Sequence, residues 1–281
     1  MPLTTIEPDT WQALHEALFE DSWDETINCH RSRYAFRGLS DQSYELATSL
    51  MRLSGSFVTL ESHLLRNFKK YAHRSMVEKD SLWHWLTMAQ HHGLPTRLLD
   101  WAYSPYVALH FATADLQRYD VDGVVWKVNY ADAHKTLPEV IRDALALQGG
   151  FVFTTETLAS AIPTLDDLDE LSNPETDYAI FFEPPSVDER IVNQFAYFSV
   201  LTNPELSMNT WLNSTTAPSV KIVVWKELKW EIRDKLDQCN ITERVLFPGL
   251  DGLCRWLARH YSPRAKTNKN QVPAQGRALA Y

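Results

Sequence analysis

The sequence predicts an α+β fold, with mixed sheets and flanking helices, and three observations lead there. Segments with two-residue alternation and segments with helical spacing follow one another irregularly, unlike the β-α-β alternation of a parallel sheet. No strand is followed by a Gly-rich phosphate loop; neither GxGxxG nor GxxxxGK[ST] occurs, so the usual dinucleotide and nucleotide-triphosphate architectures lack support. The chain has 281 residues, 44% hydrophobic and 22% charged. That length buries about three quarters of the unfolded surface, enough to fold without a disulfide or metal staple.

Along the chain, Pro8-Asp9-Thr10 caps a helix over residues 8–20, with Trp11, Leu14, Leu18 and Phe19 at helical spacing. Tyr34–Arg37 reads as a short strand that Gly38 ends. A helix from Ser56 to about Glu78 presents Leu60, Leu64, Phe68 and Tyr71, and a second covers Ser81–His91, stopped by Gly93 and Pro95. Thr96–Asp100 is a short strand or extended loop, and Ser104-Pro105 starts a helix running through Ala112. Asp122–Asn129 follows an Asp-Gly turn as a strand, and residues 131–150 form a helix closed by Gly149-Gly150. Thr164–Asp177 holds six acids and no base and reads as a solvated loop. YAIFFEPP is a strand stopped by two prolines, ERIVNQFAYFSVLTNP a turn of helix running into a strand, and Ser219–Glu227 the most apolar strand. Helices over Leu228–Gln238 and Leu250–His260 close the fold. Three segments result: an N-terminal helical segment at 1–28, an α+β domain at 29–262, and a basic tail at 263–281 expected to be disordered.

Ten Trp, twelve Phe and eleven Tyr are a heavy aromatic load, most of which is expected in the core. A formal net charge of −9 argues against non-specific binding to nucleic acid or an anionic membrane. Three cysteines, Cys29, Cys239 and Cys254, are odd in number, distant and without C-x-x-C spacing, so neither a disulfide framework nor a thiolate metal site is expected. The N-terminus has no basic region of a signal peptide, and no run reaches the 18 apolar residues of a membrane span; a cytoplasmic protein is expected.

Three clusters carry more chemistry than a core or a surface needs. Arg37-Gly38, with Ser40, Asp41, Ser43 and Tyr44, puts a guanidinium at a strand end beside a glycine, which suits a bidentate anion grip; a pairing of Arg37 with an acid at the core edge is the simpler alternative. Gln90–Trp101 (QHHGLPTRLLDW) combines two histidines, Arg97 and Asp100. His91 and His92 are adjacent and point apart, which makes them poor joint metal ligands, and no metal is expected. Arg97 and Asp100 pair as a salt bridge, or Asp100 lies at the floor of a pocket beside Trp101. In the third cluster, Glu189-Arg190 and Asn193-Gln194 enter an aromatic strand, as a buried network or as site residues. Glu183, just before Pro184-Pro185, is a further carboxylate. No G-x-S-x-G occurs and no cysteine lies near these clusters, which removes the nucleophile readings.

Taken together, YAFRGLSDQSYELATSL, WHWLTMAQHHGLPTRLLDWAYSPYVALHFA and PP…ERIVNQFAYF resemble the FRG domain family over roughly residues 30–200. Phe36-Arg37-Gly38 is the naming triplet. Where the family reads Gln-x-Gly-x-Phe, this chain has Gln194-Phe195-Ala196-Tyr197-Phe198. A weaker resemblance, of order and chemistry, is to the ADP-ribosyltransferases: Arg37 fills the first slot, Thr96–Asp100 with Ala108–Ala112 the second, and Gln194 or Glu183 the third, although the second strand lacks the Ser-Thr-Ser wording.

This resemblance implies a split β core and a substrate, NAD, cleaved through an oxocarbenium-like state. It implies that Arg37 clamps the pyrophosphate with Arg97 or Arg190, and that Tyr44 or Trp101 stacks on a ring. Asp100 or Glu183 would face the developing positive charge, while Gln90, His91 and Gln194 orient ribose or acceptor, with Gly38 beside them. The role implied is a bacterial toxin or antiviral defence effector with an unknown macromolecular acceptor. The alternatives are a non-catalytic ligand- or nucleic-acid-associated binding module and, more weakly, a phosphoester hydrolase using His91 and Asp100.

Overall fold

The computed structural model describes residues 3–53, 55–72, 79–172, 176–186 and 189–262. Its strands are β1 (Thr4–Ile6), β2 (Trp23–Asp24), β3 (Cys29–His30), β4 (Tyr34–Leu39), β5 (Leu99–Ala102), β6 (Gly123–Asn129), β7 (Phe153–Thr154), β8 (Ala179–Glu183), β9 (Ala196–Leu201) and β10 (Ser219–Val224). β2 and β3 pair with each other, and the other eight form one mixed sheet in the order β1-β10-β6-β4-β5-β9-β8-β7. With helices on both sides of that sheet, the fold is α+β.

The sheet is two half-sheets. β4 pairs with β6 along its whole length, from Tyr34 opposite Asn129 to Leu39 opposite Val124, and β5 pairs with β9 from Leu99 opposite Ser199 to Ala102 opposite Ala196. Between the halves, β4 and β5 meet at one position only, Phe36 opposite Ala102. Beyond that pair the strands part.

The pleat sends alternate residues to opposite layers. Leu99 and Trp101 join Ala35, Trp126, Tyr130 and Phe181 in one core. On the other side, Phe36 packs with Leu14, Leu18, Ala108 and Leu109, and a third cluster joins Trp83 and Leu86 of the Leu82–His91 helix to Phe182 and Phe198. Residues 4–19 are tied to this sheet: β1 runs parallel to β10, and the buried Lys127 ammonium donates to Glu20 O (2.7 Å) and Ala17 O (3.3 Å) at the end of the Trp11–Phe19 helix. Carbonyl-rich helix ends of this kind attract cations generally, and here a core lysine supplies one.

Several elements differ from the expectations. β4 continues through Gly38 to Leu39, because the glycine does not turn the chain; a Cβ there would lie 1.8 Å from Ala108 O, so the Pro105–Ala112 helix packs backbone to backbone on the strand. The helix expected over 131–150 is two, Tyr130–His134 and Glu139–Gln148, since Pro138 starts a new helix rather than extending the first; Gly149 does close the second, at φ 75°. Within the acidic Thr164–Asp177 stretch, Leu165–Asp169 is helical, opened by a capping box in which Thr164 and Asp167 bond each other's backbone. The helix after Ser56 runs Phe57–Tyr71; its expected extension over 73–78 lies outside the described residues, as does the 263–281 tail.

Candidate functional site

Where β4 and β5 part, a cavity of about 620 Å³ opens. Arg37 reaches into it from β4, Asp100 from β5, and Gln194 from the turn before β9; Gly38, Tyr44, Gln90, His91, Trp101 and Arg190 also border it. Three segments separated by 63 and 94 positions in sequence thus meet at one wall.

Arg37 spans the gap between the half-sheets. Its guanidinium donates to the main-chain carbonyl of Asp100, a ladder group that has no backbone partner on β4 here, and lies 3.8 Å from the Asp100 carboxylate. Burial pushes this guanidinium below its ordinary value, Asp100 opposes the shift and Arg52 adds to it. Arginine stays charged through such a shift. The Nε of Arg37 is buried and makes no hydrogen bond among the described residues.

Asp100 is held from the other side. Gln90, near the end of the Leu82–His91 helix, donates its amide to Asp100 Oδ2 (2.9 Å) and accepts the Thr96 hydroxyl proton at Oε1 (2.6 Å). That second bond fixes which end of the amide faces Asp100. Thr96 Oγ1 also accepts from Leu98 N (3.1 Å), and the Thr96 main chain exchanges bonds with Ser49 and Leu50. The stretch QHHGLPTRLLD is therefore one continuous support: its helix end, turn and strand start converge on a single carboxylate, which remains 56% exposed to the cavity.

The glycine of the triplet serves packing. Its bare face is covered by Ala108 O and Ala112 N, so the residue brings helix and strand together and the cavity wall with them. Ser40, one turn further, donates to Phe111 O (3.0 Å), and the buried Lys229 ammonium donates to Ser40 O (2.7 Å) and Arg118 O (2.6 Å). Burial lowers Lys229 to about 8, against the pull of Asp122 and Asp41. Tyr44 stands at the mouth with the Arg118 guanidinium 5.6 Å from its ring.

Gln194 donates its amide to Leu246 O (2.8 Å), and Asn193 donates to Val245 O (2.9 Å), anchoring this turn to the Glu243–Leu246 helix. The next residue, Phe195, sits at φ 49°, a left-handed conformation that aromatic residues seldom adopt. Tyr103 N donates to Phe195 O (2.8 Å), holding the strained residue.

Three expected site residues are elsewhere or face elsewhere. Arg97 is buried and bonds Glu61 through Nε (2.6 Å) and Asp169 through Nη1 (2.5 Å), on the opposite side of the chain from its neighbour-but-two Asp100. Glu183 ends β8, two strands beyond β5; it bonds Tyr197, and burial pushes its carboxyl up. Trp101 borders the cavity, but strand alternation turns its indole to the far core, where Nε1 donates to Ser199 Oγ (2.8 Å) and the ring packs on Phe181. Two charged residues were missed, Arg52 and Asp115, both lining the cavity; the segment of the first, MRLSGS, carries no pattern that distinguishes a site arginine from a surface one.

The cavity walls thus carry Arg37, Arg52 and Arg190 against Asp100 and Asp115, a local excess of positive charge in a chain of net charge −9. Among the described residues, no three His, Cys, Asp or Glu side chains are grouped to hold a metal, and no helix is long and apolar enough to cross a membrane. The FRG domain family profile matches residues 32–120, which span β4, the Leu82–His91 helix, β5 and the Pro105–Ala112 helix. No curated protein and no solved structure matches the chain.

Proposed function

This chain carries an FRG domain over residues 32–120, and from that premise we propose that the cleft binds NAD and cleaves its nicotinamide–ribose bond, as an ADP-ribosyltransferase-like enzyme or an NAD glycohydrolase. One observation carries the reading: Arg37, Asp100 and Gln194, from three separate segments, line one cleft at the split of the sheet. The order of these segments, Arg strand beside a second strand that runs into an apolar helix, then a third beside it, is the order the transferase resemblance implies.

In this reading Arg37 forks to the pyrophosphate, with Arg190 assisting, and Tyr44 offers its ring for stacking. The C1′–N bond breaks with its electron pair leaving on neutral nicotinamide, and positive charge develops on the ribose. Asp100 stabilises that charge from across the cleft, held in place by Gln90. A water or an acceptor nucleophile then bonds C1′ and loses its proton. His91 and Gln194 orient the ribose hydroxyls or that nucleophile. Spending NAD inside a cell would make the protein a toxin or defence effector; its expression should then arrest growth, and Arg37→Ala should relieve the arrest.

The direct test is incubation of the protein with labelled NAD, with and without lysate. Nicotinamide release should fall at least about 100-fold in Arg37→Ala, in the range found on removing a preorganised charge contact. Label on a lysate component would give the acceptor class, and no release from the unaltered protein would reject the reading. One observation favours a second reading, a binding module without turnover: the third position offers an amide, Gln194, already bonded to Leu246 O. NAD binding without release would select it.

A further inference from the structure

We infer that Arg52 and Arg37 together form a two-guanidinium site for a diphosphate group. The loop that carries Arg52 is anchored. Leu46 and Leu50 in it are fully buried, Leu50 N donates to Thr96 O (3.1 Å), and Ser49 Oγ donates to the same carbonyl (3.3 Å) while accepting from Thr96 N (3.1 Å). The hub that orients Asp100 through Gln90 therefore also fixes the backbone from which Arg52 extends.

Arg52 lines the same cavity as Arg37, and no carboxylate among the described residues pairs with it. The acid nearest Arg37, Asp100 at 3.8 Å, is also bonded to Gln90. Arg52 lies near enough to disfavour the charged form of Arg37, alongside burial. Like charges set together against a cavity repel unless an anion comes between them. Arg37 also keeps a buried Nε–H with no partner among the described residues, a donor of the kind seldom left unpaired. A diphosphate has the charge and the acceptor oxygens to meet two guanidinium forks, one on each phosphoryl group.

The inference rests on the cleft being a phosphate-binding site, but not on turnover. Calorimetry on the full chain with inorganic pyrophosphate and with inorganic phosphate tests it. Pyrophosphate should bind at least about tenfold more tightly than phosphate, and Arg52→Ala should weaken pyrophosphate by about 10- to 100-fold, the worth of charged hydrogen bonds, while changing phosphate much less. Arg52→Lys should recover part of the loss, since it restores charge but not the fork. Arg52 is exposed, so thermal melting of both variants should match the parent. Three results overturn the inference: no pyrophosphate binding by the parent, undiminished binding by Arg52→Ala, or equal losses for both anions. Pyrophosphate binding without nicotinamide release would reject the proposed reaction and leave the site. Nicotinamide release that survives Arg52→Ala with pyrophosphate binding unchanged would do the reverse.

Discussion

Asp100 is a carboxylate with two supports and an open face: Gln90 holds one oxygen, Arg37 crosses to its main-chain carbonyl, and the side chain stays 56% exposed. If its charge acts on the ribose, Asp100→Asn should keep NAD binding and lower turnover by about 100- to 1,000-fold; a kcat unchanged from the parent would remove it from the reaction. From the sequence, Asp100 is a salt-bridge partner of Arg97 or a pocket residue, and the structure sets it on the cavity wall. Its support was less legible. Gln90 and Thr96 are six positions apart, and only the turn at Gly93, with its φ of 82°, shows that they meet. Trp101 was misread for want of the pleat: it neighbours Asp100 in sequence and is opposite it in space. Arg52 had no sequence signal at all, because an anchored turn with an exposed arginine reads like any other turn.

At the scale of elements, Arg97 binds three of them together. It joins β5's leading edge to Glu61 on the Phe57–Tyr71 helix and to Asp169 on the Leu165–Asp169 helix. Removing it leaves Glu61 buried without its cation, so Arg97→Ala should cost about 3–5 kcal/mol in urea unfolding. A cofactor-binding role would instead predict normal stability with lost affinity. This pairing spans 36 and 72 positions, beyond what local pattern can reveal, which is why the sequence paired Arg97 with Asp100 instead. Gly38 works between elements in the same way. A methyl there meets Ala108 O at 1.8 Å, and Gly38→Ala should cost about 3 kcal/mol or more by forcing helix and strand apart; a midpoint equal to the parent's would show that the contact gives way freely. The long periodic elements, β6, β10 and the Pro105–Ala112 helix, were readable because burial on one or both faces imposes their pattern. The two- and three-residue strands β1, β2, β3 and β7 were not, because strands so short contain no period.

Across the whole molecule, stability should depend on pH through two buried histidines. His134 donates Nδ1–H to Phe151 O (2.9 Å) and accepts from Phe181 N at Nε2 (2.9 Å), and His110 accepts from Arg233 at Nδ1 (2.8 Å). Burial pushes them down to about 4 and about 3. Unfolded, each takes a proton near pH 6.5, so between that value and the folded one the unfolded chain binds more protons. Their contribution is whole above pH 6.5 and is lost as pH falls toward 4, with a slope approaching about 1.4 kcal/mol per pH unit for each. Urea midpoints at pH 7 and pH 5 measure it, and equal values would overturn it. His134 ties the Tyr130–His134 helix to β8 and His110 joins the Pro105–Ala112 helix to the Lys229–Gln238 helix, while the halves of the sheet share one ladder pair, Phe36 opposite Ala102. Every further pair that β4 and β5 might have made is forgone, and the room for a ligand is the room those pairs would have closed. Selection for a tighter, fully zipped sheet and selection for an occupied cleft therefore pull this chain in opposite directions, and any change that raises stability by extending that pairing erases the site.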